Sequence, residues 1–281
     1  MMRFAILIGA TALLAACNEQ PAGEPVVRTQ LGSSGADEVA ETVESEASPV
    51  EPQIASTCSA ATFEGVRLTH CIADPAEHRI TTRLGQPGVG PFRSLTAFAE
   101  TVDKRTIAFA MNAGMYDDDA QPIGYYVEDR DRLKELNRSD GPGNFHLKPN
   151  GVFFGTGGTW RVLATDEFYS SVRDRPQFGT QSGPMLVING ELHPEIAENG
   201  PSRAVRNGVG VDSDGKAHFV ISDSPLSFGQ LARFYRDELK VENALFLDGN
   251  VSALWDPARD RLDRGILGPL VVVTKRESAS Q

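Results

Sequence analysis

Beyond residue 58 the chain never sustains an apolar run; Gly, Asn, Asp or Pro interrupts each one after a few residues. That punctuation excludes long buried helices and favours short strands. Ten stretches read as strands: 65–71, 107–111, 123–128, 151–154, 160–163, 185–188, 208–211, 217–221, 244–247 and 270–274. Asn189-Gly190 and Asp214-Gly215 read as hairpin turns, and Gly155-Thr156-Gly157-Gly158 as another, since no helix follows it to make a phosphate loop. Helical periodicity shows in two places. Leu95, Phe98, Ala99 and Val102 form a stripe in 94–104, and Leu231, Phe234, Tyr235 and Leu239 a stronger one in 227–240, with Ser227 or Ser224-Pro225 as its start. Strands do not alternate strictly with helices, which argues against a Rossmann-type parallel sheet. The expected class is α+β: a mixed, mostly antiparallel β-sheet core with a few packed helices.

The first residues are of another kind. Arg3 precedes an apolar stretch from Phe4 to Ala16 that is too short to span a bilayer but suits a signal peptide over residues 1–16. It ends in Leu14-Ala15-Ala16-Cys17, which resembles a bacterial lipobox; the resemblance implies cleavage before Cys17 and acylation of its thiol, against an ordinary secretory signal with a chance cysteine. Residues 18–57 hold eight acids against the single base Arg28, and no aromatic residue, so they carry seven of the eleven net negative charges. Such a segment cannot bury enough apolar surface to fold, and as a flexible tether of this length it spans roughly 35 Å. The expected organisation is signal peptide, lipidated Cys17 with an acidic tether to residue 57, and one domain over 58–281. The expected location is the cell envelope: lipid-anchored to a membrane, not spanning it, facing the periplasm.

Within the domain, Cys58 and Cys71 are expected to pair in an oxidising compartment. An acidic chain without a basic stripe argues against a nucleic-acid partner. The five histidines are scattered, no zinc spacing or GxSxG elbow occurs, and no metal or cofactor is indicated.

Four polar stretches resist a purely structural account. In "AFAMNAGMYDDDAQPIGYY" an apolar strand ends at Asn112, a turn former or a functional amide; Asp117, Asp118 and Asp119 follow, a solvated loop or a cation site without calcium-loop spacing. In "GNFHLKPNGVFF" Lys148 sits in an apolar setting, either snorkelling or facing an anion, and His146 is the weaker candidate. In "TQSGPMLVINGELH" Gln181, Ser182 and Gly183 precede a strand and offer polar donors. In "SRAVRNGVGVD" Arg203 and Arg206 stand before a strand, and a guanidinium fork matches phosphate.

In their order these stretches, with "PIGYYVED" and "NALFLDGNVS", resemble the phosphodiester glycosidase family, which includes the lysosomal uncovering enzyme; the match is similar to its bacterial exported branch and runs from about Cys58 onward. The resemblance implies that Asn112 and Gly114 belong to the family's Asn-Ala-Gly motif, Ser182 and Gly183 to its Ser-Gly-Pro segment, and Arg206 to its Arg-x-x-x-Gly, with Gly210 as the glycine. It also implies that Asp248, Gly249 and Ser252 belong to its Leu-Asp-Gly-Gly-Gly-Ser loop. Asn250 and Val251 replace the second and third glycines, and their Cβ atoms are expected to narrow the site.

A carboxylate mounted at the end of a buried strand suits glycosidic cleavage, which passes through an oxocarbenium-like state. The alternative for Asp248 is a turn aspartate bonded to its own backbone. The expected reaction is hydrolysis of a sugar 1-phosphodiester in envelope glycans. Asp248 would act on the sugar, and Arg206 with Lys148 on the phosphate, while Asp223, ahead of Glu128, is the best second carboxylate. The competing reading is an envelope lipoprotein that binds a glycan or anionic ligand without turnover.

Overall fold

The structure, a computed structural model, describes residues 55–249 and 251–276. The expected signal peptide, Cys17, nearly all of the tether, and Asn250 lie outside these residues.

The described chain is mostly β, built as three antiparallel sheets and one short hairpin. The largest sheet runs in the order Cys58–Phe63, Val66–Ala73, Ala217–Ser222, Asn207–Val211, Asn243–Asp248, Met185–Ile188, Glu191–Leu192. A second runs Thr159–Ala164, Gly151–Thr156, Phe178–Ser182, Tyr126–Glu128, Asp131–Lys134, and a third Arg261–Leu262, Leu254–Asp256, Ile107–Asn112, Leu270–Lys275, His78–Arg83. Every pairing among the described strands is antiparallel, so the sheets are less mixed than expected, for chain-adjacent strands close by hairpins rather than crossovers.

The three sheets meet around aromatic rings. Phe219 of the first sheet packs edge-on against Phe109 of the third at 5.3 Å and Phe153 of the second at 5.6 Å. Ile107–Asn112 and Ala217–Ser222 are buried at every position, which is why both read as continuous apolar runs rather than alternating ones. The outer face of the large sheet is covered by the helix Phe228–Arg233, which continues as a π-helical turn, Phe234–Glu238. Ser227 caps it in a capping box with Gln230, and Leu231, Phe234 and Tyr235 are buried against Leu186, Val220 and Phe246. Gly210 makes the fit possible, because a Cβ there would lie 3.0 Å from the Tyr235 ring.

All ten expected strands occur, Met185–Ile188 with the expected bounds and the others with ends shifted by at most three residues. The largest shift is at Tyr126–Glu128: residues 123–125 form a loop, held by Ile123 N–H to Met115 O and Tyr125 N–H to Gln181 Oε1. The first helix is shorter than its stripe, Leu95–Ala99, with Ser94 as its cap. The Gly157-Gly158 and Asn189-Gly190 turns have two consecutive positive φ angles, as two-residue hairpins require. Cys58 and Cys71 sit opposite each other in the outermost strand pair and form a disulfide.

Candidate functional site

Asp248 ends the strand Asn243–Asp248. Asn207 pairs with Asp248 but Gly208 with Phe246, so Leu247 is bulged out of the ladder just before the carboxylate. A bulge at this point breaks the alternation of the strand and re-aims the side chain beyond it. Ser182 Oγ donates to the bulged Leu247 carbonyl at 2.6 Å. The backbone of Asp248 is then fixed by side chains: its N–H donates to Asn207 Oδ1 at 3.0 Å, and Ser252 Oγ donates to its carbonyl at 3.0 Å.

Asn207 is the centre of this arrangement. Its Oδ1 also lies 3.2 Å from Ser252 Oγ and accepts from Asn112 Nδ2 at 3.3 Å, and its Nδ2 donates to Asn112 Oδ1 at 3.0 Å. Asn112 Oδ1 accepts in turn from Ala253 N–H at 2.9 Å. Asn112 ends a strand of the third sheet and Asn207 begins one of the first, so two buried amides join the sheets where the Asp248 turn leaves them. Nothing local in the sequence marks Asn207.

The Asp248 carboxylate, on a residue only 5 % exposed, lines a cavity of about 480 Å³ with Arg93, Met115, Tyr116, Asp117 and Asp118. Its Oδ1 accepts the Gly249 N–H at 2.6 Å, so the turn contact expected of a structural aspartate coexists with the exposure to a cavity expected of a functional one. Burial, and then the charge of Asp248, hold the Tyr116 phenol above its usual range. Tyr116 donates its hydroxyl proton to Ile266 O at 2.6 Å, and Gly268 leaves room for its ring. Residues 117–119 are exposed but ordered: Asp117 Oδ1 accepts from the N–H groups of Asp119 and Gln121, and Arg93 Nη2 donates to Asp119 O. No cluster able to hold a metal ion occurs among the described residues.

Arg206 approaches from behind. Its guanidinium lies 3.7 Å over the Phe228 ring, Nε donates to Leu226 O, and Nη2 donates to Ser202 O and Oγ. A Cβ on Gly249 would stand 3.1 Å from Nη1, which places that nitrogen against the turn carrying Asp248. Arg206 makes no ion pair among the described residues, and burial alone pushes it down to about 10, still protonated at neutral pH. Its expected place on the cavity wall is therefore corrected: the guanidinium backs the Gly249 turn, and the cation lining the cavity is Arg93.

Other expectations fall elsewhere. Lys148 pairs with Asp140, donates to Arg138 O, and lines a separate cavity with Thr165 and Asp166. Asp223 sits at the same edge of the large sheet, two strands and so roughly 10 Å across, where Arg261 and Thr69 hold its carboxylate. Glu128 bonds Leu84 N–H and faces Arg83, its carboxyl raised by burial. Gly114 packs where a Cβ would strike Gln181 O, and its N–H donates to Thr180 Oγ1. Gly183 packs on Asn150, and Gln181 clamps Tyr125, Asn137 and Thr165. Val251 turns its Cγ1 to Gly265 and the apolar cluster beneath, so it does not narrow the cavity.

Residues 105–256 match the phosphodiester glycosidase family. The chain is 38 % identical over 149 residues to an uncharacterized protein, YigE, of Escherichia coli (strain K12), a match covering 53 % of this chain and 58 % of that protein's length. The fold resembles the catalytic domain of zebrafish N-acetylglucosamine-1-phosphodiester alpha-N-acetylglucosaminidase, auto-inhibited by its pro-peptide, with a TM-score of 0.54 at 18 % identity over 78 % of this chain and 82 % of that one.

Proposed function

The chain belongs to the phosphodiester glycosidase family, and from that membership we propose that it is a hydrolase that cleaves the glycosidic bond of a sugar 1-phosphodiester in cell-envelope glycans. The observation that carries the reading is the Asp248 carboxylate, rigidly mounted by two amides and turned into a cavity that also holds Tyr116 and Arg93.

In this reading Asp248 faces the anomeric carbon and stabilises the positive charge that develops there as the bond to the phosphate oxygen lengthens. The bonding pair leaves with that oxygen. Arg93 at the cavity wall meets the departing phosphate monoester, and the buried charge of Arg206, behind Gly249, adds a fixed positive field. Water adds to the anomeric carbon and its proton passes to solvent. A phosphate monoester is a good leaving group, so the step needs no strong general acid, consistent with Asp223 and Glu128 being engaged elsewhere. Asn112, Asn207 and Ser252 hold the turn and touch no substrate.

The proposed setting is the periplasmic side of a membrane, with the domain tethered through an acylated Cys17. The supporting features are the Leu14-Ala15-Ala16-Cys17 sequence and the Cys58–Cys71 disulfide, a state typical of oxidising compartments.

The test is turnover of aryl- or nucleotide-linked sugar phosphodiesters by the wild type and by Asp248→Asn. Hydrolysis lost in a folded variant supports the reading. A wild type that binds such compounds without turning them over supports the non-catalytic lipoprotein instead.

A further inference from the structure

On a chain of net charge −11, positive side chains gather in one place away from Asp248. A cavity of about 350 Å³ is lined by Arg79, Arg83, Arg130 and Arg276, with Asp129 as its one carboxylate. Arg79, Thr81 and Arg83 share the outward side of the edge strand His78–Arg83. Arg83 is paired, to Asp129 at 2.8 Å and Glu128 at 3.5 Å. Arg79, Arg130 and Arg276 make no ion pair among the described residues; Arg276 Nε donates only to His78 O. The neighbouring strand Leu270–Lys275 reaches from Leu270, opposite Asn112, to the Arg276 end of this cavity, roughly 17 Å.

The cluster continues. Arg130 also lines a second, open cavity of about 1070 Å³, to which Arg132, Arg173 and Arg175 contribute against Glu135 and Asp174. Tyr169, 60 % exposed, lines that cavity with one face of its ring covered by the Arg138 guanidinium at 4.2 Å and the rest of the ring open. The hinge between the two cavities is the turn Asp129-Arg130, which joins Tyr126–Glu128 to Asp131–Lys134 with φ of 48° and 72°. Two-residue turns of this hand favour Gly at the second place, and a left-handed side-chain-bearing residue there costs about 1 kcal/mol. The turn thus carries an arginine where glycine would be easier, and that arginine lines both cavities.

We propose that these adjoining cavities form a second site, apart from the Asp248 cavity, that grips a phosphate-bearing polysaccharide, its phosphoryl groups on Arg79, Arg130 and Arg276 and its sugar rings on Tyr169. Guanidinium forks match phosphate oxygens, and spaced positive pockets match the repeat of charge along such a polymer. That the polymer is a glycan rests on the reading of the Asp248 cavity; that it carries phosphate rests on the arginines.

The experiment is calorimetric titration of the full chain with a phosphodiester-linked polysaccharide, with neutral dextran and phosphatidylglycerol vesicles as the other arms. Arg130→Gly removes the guanidinium at a position where glycine relieves the backbone, so the melting temperature should hold or rise. Polymer affinity should fall roughly tenfold in Arg130→Gly and again in Arg79→Gln, and weaken with added salt. Full affinity in the Arg79→Gln/Arg130→Gly double variant overturns the proposal, as does binding to dextran or to the vesicles as tight as to the polymer. A chain that binds the polymer yet fails to hydrolyse small sugar phosphodiesters refutes the catalytic reading and leaves the second site standing.

Discussion

Asn112 and Asn207 face each other across two sheets, with Asn207 Nδ2 3.0 Å from Asn112 Oδ1, and the Oδ1 of the same Asn207 amide accepts the Asp248 N–H at 3.0 Å. The placement of the carboxylate is thus a property of the sheet junction, not of its own loop.

Asp248→Asn keeps an oxygen for the Gly249 N–H and so keeps the turn. It removes the charge that faces the cavity. The expected result is a fall in kcat/KM of roughly 10²–10⁴-fold, with the melting temperature within a few degrees of the wild type. Rates of sugar release and a thermal melt of the same sample check both parts.

Asn207→Ala leaves two donors without their acceptor, Asp248 N–H and Asn112 Nδ2–H, while the Ser252 hydroxyl keeps the Asp248 carbonyl. Each buried group left unsatisfied costs about 1–3 kcal/mol. The variant should lose about 3 kcal/mol in denaturant unfolding, and its remaining folded fraction should lose activity as well. A variant as stable and as active as the wild type would show that the amide junction does not set the site.

Gly249→Ala inserts a Cβ at 2.8 Å from Phe246 Cζ and 3.1 Å from Arg206 Nη1. The ring is packed against Phe228, so the guanidinium must shift. Stability should drop by about 1–2 kcal/mol, while kcat/KM drops by roughly tenfold or more. A stability loss without a kinetic one would separate Arg206 from the chemistry.

Stability should also fall on mild acidification. Burial first, and then the charge of His218, push His70 from 6.5 down to about 4. Its Nε2 shares a 2.9 Å hydrogen bond with His218 Nδ1, and the far side of His218 meets Asp212. Between pH 6.5 and 4 the unfolded chain binds a proton at His70 that the folded chain refuses. This contribution is therefore whole above pH 6.5 and is lost as pH descends toward 4. Denaturant midpoints measured across that range should fall less steeply in His70→Gln than in the wild type.

The strands buried on both faces were legible because continuous apolar runs leave no other economical reading. Phe178–Ser182 was not, since its buried Thr180, Gln181 and Ser182 are satisfied by partners far along the chain rather than by apolar packing. The helix Thr165–Ser171 escaped because it is short and polar around one buried ring, Phe168. Asp248 announced itself as a lone carboxylate closing an apolar strand. Its supports did not: Asn112 and Asn207 lie 95 residues apart, and no window of sequence contains both. The same holds for the arginine cavities, whose members come from two edge strands of different sheets, a turn, the stretch after the helix Thr165–Ser171 and the last described residue.

The disulfide has a practical corollary. It staples the outermost strand of the largest sheet, Cys58–Phe63, to its neighbour. Synthesis in a reducing cytosol leaves that border strand held by its ladder alone, and a loosened border is a template on which another copy can add. Recombinant yield should therefore follow the route of production: monodisperse from an export host, and increasingly self-associated from cytosolic material or after storage with thiol reagents.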